Sequence, residues 1–128
     1  MSYTQSFILT HTLTYYTSGP KFQCIEKSLL HNDLCILDSF RACIRSSMEK
    51  TKKQHPELFG TSPYQNEAWN IPVALEITTI ELALVIQAFD EAMKETEGDN
   101  FYELEVIAGY PITDIRRCFE LLLTLNKE

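Results

Sequence analysis

A chain of 128 residues, 45% hydrophobic and 23% charged, holds enough apolar side chains for one packed core and too few for two, which excludes a disordered or collagen-like polymer and predicts one domain over 1–128. Its apolar runs fall far short of the ~20 residues that cross a bilayer, so no membrane partner is expected. The net charge of −7 is uneven: residues 1–60 carry seven Lys and Arg against five Asp and Glu, residues 61–128 four against thirteen, so the second half repels phosphate and favours a basic protein over nucleic acid.

The first five residues contain no Lys or Arg, and Thr and His interrupt residues 6–13. That argues against a secretory signal and for a cytoplasmic protein. The cysteines at 24, 35, 43 and 118 show no short paired spacing, and they read as free thiols serving as small core side chains in a reducing compartment.

Residues 1–20 are an N-terminal arm. Within it, residues 6–16 are rich in Thr, Ile, Leu and Tyr and stop at Thr17-Ser18-Gly19-Pro20; this reads as a β arm, with a helix as the alternative. Phe22, Ile25 and Leu29 then recur at helical spacing, giving a short helix over 22–31. Asn32 or Asp33 caps a longer one over 33–54, whose apolar stripe is Leu34, Leu37, Phe40, Ile44 and Met48. Lys50, Lys52, Lys53 and His55 make its last turn cationic, and Pro56 stops it.

Residues 56–72 are a long loop rich in Pro, Gly and Asn. Leu58, Phe59, Tyr64 and Trp69 either pin it to the core or form a binding surface. Thr78-Thr79-Ile80-Glu81 has the form of a capping box. Residues 73–94 hold almost no breaker, so the helix begins either at Val73 or at this box. Its segment 79–94 is apolar on nearly every side over 80–89, which predicts that it occupies the centre. Burying so apolar a helix in so short a chain also suggests a homodimer. Asn100 and Glu103 offer a capping pair for a short helix ending near Ala108, and Gly109-Tyr110-Pro111 turns the chain into a last helix over 112–126.

Two constellations bear on chemistry. His31, Cys35 and Asp38 share one helical face, but parallel side chains on one helix rarely converge on a reacting atom, and further metal ligands are not evident. Four glycines in all give no phosphate-cradling loop. No catalytic residue, metal or cofactor is therefore expected, and the chain reads as a non-enzyme.

Leu104-Glu105-Val106-Ile107-Ala108-Gly109-Tyr110-Pro111-Ile112-Thr113-Asp114-Ile115-Arg116-Arg117 resembles the helix-turn-helix of bacterial regulators, over about a fifth of the chain. Gly109 stands at the turn and Ile115 at the anchor six positions on. Glu105 departs from the pattern, falling where the motif has a small alanine. The resemblance implies DNA contacts by Arg116 and Arg117.

The sequence thus predicts an all-α bundle of about five helices. Its first function is a protein–protein interaction module of the inhibitor, immunity-type or assembly-factor kind. Such a module would engage a basic partner through Tyr64 and Trp69 of the loop or through the acidic cluster Asp90, Glu91, Glu95, Glu97 and Asp99, carboxylates that oppose the helix dipole unless a cation offsets them. A helix-turn-helix regulator is the first alternative, and a small-ligand-binding helical protein the second.

Overall fold

The computed structural model describes residues 1–18, 31–56 and 71–126. Among them are five α-helices and no strand: α1 Tyr3–Ser18, α2 His31–Gln54, α3 Thr79–Thr96, α4 Tyr102–Ala108 and α5 Ile112–Asn126, with a 3-10 turn Glu97–Asp99 before α4. None is long and apolar enough to cross a membrane. The helix expected over 22–31 lies outside the described residues except for its last, as does most of the 56–72 loop, including Tyr64 and Trp69.

The expected β arm is α1. Ser2 and Gln5 make a reciprocal cap: the Gln5 amide donates to Ser2 Oγ at 3.1 Å, and the Ser2 amide to Gln5 Oε1 at 2.9 Å. From there the helix runs through the middle of the molecule and packs against all four others. Tyr3, Ile8, Leu9, Leu13, Tyr15 and Tyr16 are buried, and so are Ser6, Thr10 and Thr12. No face looks outward, so the sequence shows no stripe, and its β-favouring composition is overridden by tertiary burial.

Hydroxyls on a helix with no solvent face need partners, and the preceding turn supplies them. Ser6 donates to Ser2 O at 2.9 Å, Thr14 to Thr10 O at 2.8 Å and Thr17 to Leu13 O at 2.9 Å, while Thr10 reaches Met48 Sδ at 3.8 Å. Arg41 of α2 donates to Thr14 Oγ1 at 3.1 Å and lies 3.3 Å from Asp38. Among the described residues, Thr12 Oγ1 is buried with no hydrogen-bond partner.

α1, rather than α3, takes the central place. α3 shows one buried face, Leu82, Val85, Ala88, Phe89, Ala92 and Thr96, with Ile80 68% exposed on the other. Its N-terminus is the expected box: Glu81 N donates to Thr78 Oγ1 at 3.1 Å and Thr78 N to Glu81 Oε1 at 2.9 Å. The expected packing of α2 and α5 against α3 is present, and Phe89 stacks on Phe119 at 5.4 Å. The stripe of α2 is as expected, with Leu37, Phe40, Ile44 and Met48 buried. Cys118 is buried and donates to Gln5 O at 3.5 Å, but Cys35 and Cys43 lie on the exposed side of α2, since helical spacing carries them off its apolar stripe.

Contacts fix the directions. Thr10 meets Met48, and Thr14 and Thr17 meet Arg41, so α2 runs antiparallel to α1. Residues 71–73 pair with residues 1–3, whereas Tyr16 meets Glu91, so α3 runs broadly with α1.

Two stability outcomes follow from the place of α1. Leu13→Ala removes a fully buried side chain and lowers unfolding free energy by about 2–5 kcal/mol, while Ile80→Ala changes it by less than ~0.5 kcal/mol. Equal effects in urea denaturation would contradict a central α1. Thr12→Val removes the unpartnered hydroxyl at constant shape and raises stability by ~1 kcal/mol; a lower urea midpoint would show that the hydroxyl is satisfied.

Candidate functional site

The acidic cluster forms where α3 ends, and two tyrosines of α1 sort its members. Tyr16 is fully buried and donates its hydroxyl to Glu91 Oε2 at 2.9 Å. Tyr15, also buried, has the Glu103 carboxylate against its hydroxyl. Burial, then Glu103, then Asp99 and Glu95, push that hydroxyl's pKa well above the usual tyrosine value. Asp90 pairs with Lys94 at 2.9 Å on the surface. Glu91 and Glu103 are therefore held against the core, while Glu95, Glu97 and Asp99 are exposed.

The turn into α4 is built differently from the expected Asn100–Glu103 cap. Asn100 and Phe101 both adopt left-handed conformations, φ 60° and 64°, and Phe101 stands at the N-cap with no side-chain hydrogen bond. Such a conformation costs a bulky residue ~1 kcal/mol or more. Two contacts offset it: the Phe101 amide donates to Thr96 O at 2.8 Å, and the Arg116 guanidinium lies 5.0 Å from the Phe101 ring centre. The reversal leaves Glu97 and Asp99 pointing out of the bundle end.

α4 buries only Leu104 and Ala108. On its other side Tyr102 is 69% and Val106 63% exposed. With Glu105, Gly109, Tyr110 and Pro111 they line an open dish of about 440 Å³. Tyr102 and Val106 were not among the expected site residues, although their spacing of four, out of phase with Leu104 and Ala108, marks an outward apolar face.

The hairpin that resembles a helix-turn-helix does form. Gly109 ends α4 at φ 75°, and Ile115 is fully buried. Glu105 is not a stranded buried carboxylate: it is half-buried, and its Oε2 accepts the Ile112 amide at 2.7 Å, capping α5. Arg116 and Arg117 are exposed, the first over Phe101 and the second 3.9 Å from Asp114.

Elsewhere, Leu9, Phe40, Val73, Leu75, Ile77 and Leu122 line part of an apolar pocket of about 190 Å³ between α1, α2 and α5. Among the described residues no three His, Cys, Asp or Glu side chains gather where they could hold a metal. Cys35 and Asp38 are exposed on α2; the side chain of His31 is outside the described residues.

The raised Tyr15 hydroxyl has a pH consequence. A group whose folded pKa exceeds its unfolded value stabilises the fold fully below the unfolded pKa, and that contribution is lost as pH rises through the folded one. Cys118, pushed by burial up to about 12 from 9.0, acts in the same direction. The urea midpoint is therefore expected to fall steadily as pH rises above about 9, and Tyr15→Phe should flatten that fall above pH ~10. An identical slope in the variant would show that Tyr15 ionises as freely folded as unfolded.

No protein-family model, no curated protein and no solved structure matches this chain.

Proposed function

We propose that the chain is a non-enzymatic interaction module, of the inhibitor, immunity-type or assembly-factor kind, which engages a basic partner protein through the end of the bundle where α3 gives way to α4. The supporting observation is the juxtaposition of exposed Glu95, Glu97 and Asp99 with exposed Tyr102 and Val106. Apolar and aromatic side chains that exclude water, rimmed by charge that selects the partner, are the usual composition of a protein-binding surface. Asp90 and Glu91 contribute less, being engaged by Lys94 and Tyr16.

The alternatives have weaker support. Around Arg116 and Arg117 the hairpin carries Glu103, Glu105 and Asp114, a field unfavourable to phosphate. The apolar pocket, at about 190 Å³, is smaller than the ~300–1,000 Å³ typical of small-molecule sites. A homodimer is not required to cover α3, whose apolar face is packed within one chain.

The test is affinity capture with the wild-type chain and two surface variants, Glu97→Lys with Asp99→Lys, and Tyr102→Ala with Val106→Ala. The wild type should retain a set of basic proteins at ~0.05 M salt that is lost at ~0.5 M salt and lost with either variant. Retention unchanged by both variants overturns the proposal. Duplex DNA retained by the wild type and lost on Arg116→Ala with Arg117→Ala would put the regulator in its place.

A further inference from the structure

Residues 73–78 lead into α3 as an extended segment. Val73, Leu75 and Ile77 turn inward while Ala74, Glu76 and Thr78 are exposed, the alternation of a strand with one buried face. Strand pairing begins just before it: Tyr3 N donates to Ile71 O at 2.9 Å, Val73 N to Met1 O at 2.8 Å, and Ser2 faces Pro72 in antiparallel register. There it stops. Among the described residues, Ala74, Leu75, Glu76 and Ile77 make no backbone hydrogen bond, and pairing resumes only where Thr78 N meets Glu81 Oε1. Four extended residues, ~13 Å of chain, thus present unmatched amides and carbonyls.

A groove of about 750 Å³ lies alongside. One wall is this segment and the other is α2, at Cys43 and Ser47. Its described lining includes two carboxylates, Glu76 and Glu81, and no Lys or Arg. An unpaired edge is a template for another strand, and natural proteins commonly block such edges with Lys, Pro or a covering element. Among the described residues, none of these stands along 74–77.

We propose that the groove is a strand-addition site: an extended segment of a partner protein, bearing Lys or Arg, pairs its backbone with residues 74–77 and sets its cationic side chains against Glu76 and Glu81. A helical segment does not suit the site, because its backbone groups are already used internally and would leave the edge unmatched. The site is at the opposite end of α3 from Glu97 and Tyr102, so it stands or falls apart from the surface proposed above.

The probe is a synthetic peptide of three Lys-Val repeats with blocked ends. Its controls are the Glu-Val counterpart and a Lys-Val peptide N-methylated at alternate residues. Two rates are read on the full chain: amide hydrogen exchange at residues 74–77, and alkylation of Cys43 by iodoacetamide, with exposed Cys35 as internal reference. At a Lys-Val concentration ~10 times its Kd, both rates should slow by about tenfold while Cys35 is unchanged. Glu-Val and the N-methylated peptide should have little effect, and Glu76→Lys should weaken Lys-Val binding. Equal protection by the controls, or protection by none of the peptides, overturns the proposal. Slow exchange at 74–77 without peptide that deepens as protein concentration rises would assign the edge to a second copy, and likewise overturns it.

Discussion

The fold depends on burying a hydroxyl-rich helix on all sides. α1 carries Ser6, Thr10, Thr12, Thr14 and Thr17 among its apolar residues, and each hydroxyl sent into a low-dielectric interior costs ~1–3 kcal/mol unless bonded. Back-bonding to the preceding turn lets Ser6, Thr14 and Thr17 meet this demand locally, and Arg41 adds a donor to Thr14 and Thr17 from α2. α1 can therefore act as an apolar post around which the other helices stand. The capped start at Ser2 and the pairing of residues 1–3 with 71–73 fix where that post begins.

Its direction also arranges the charge. Because α2 is antiparallel to α1, the cationic turn with Lys50, Lys52 and Lys53 comes to the end where α1 starts. The carboxylates of α3 and the following turn gather where α1 finishes, around Tyr15 and Tyr16. The separation is partial, because Glu76 and Glu81 lie at the other end of α3. The tyrosines then sort the acids: Glu91 accepts from the Tyr16 hydroxyl and Glu103 acts on that of Tyr15, whereas Glu95, Glu97 and Asp99 are exposed.

α2 and α5 were legible because each has one wet face, so its stripe and its stop signals survive in the sequence. Apolar residues such as exposed Ile80 on the outer side of α3 instead disguise its wet face and make it read as the centre. Thr78 and Glu81 marked the start of α3, and Gly109 the end of α4, through chemistry that needs no tertiary context. α1 was not, since burial on every side erases periodicity and Thr, Ile and Tyr imitate a strand. The legible clue was local: Ser2 and Gln5 have the spacing of a capping box. The candidate surface was half visible. Acidic residues announce themselves by type, but which of them are spent internally depends on Tyr15 and Tyr16, about 75 residues earlier in the chain for the Tyr16–Glu91 pair. Tyr102 and Val106 belong to a helix of only two turns, so their spacing of four is the one sign of its outward face.

The α4–α5 hairpin shows why a motif and a function come apart. A glycine in the left-handed region and an aliphatic residue that plugs the gap between two helices are what any tight helical corner requires. Gly109 and Ile115 meet that requirement without reference to DNA. Glu105 is the discriminating residue. A reader of the major groove keeps this position small so that its helices close on one another, whereas here the carboxylate reaches across the corner to the Ile112 amide. That bond ties α5 to α4 through an acid, beside Tyr102 and Val106 on the exposed side. The same side chain that completes the corner thus adds negative charge to the hairpin, a field unfavourable to phosphate.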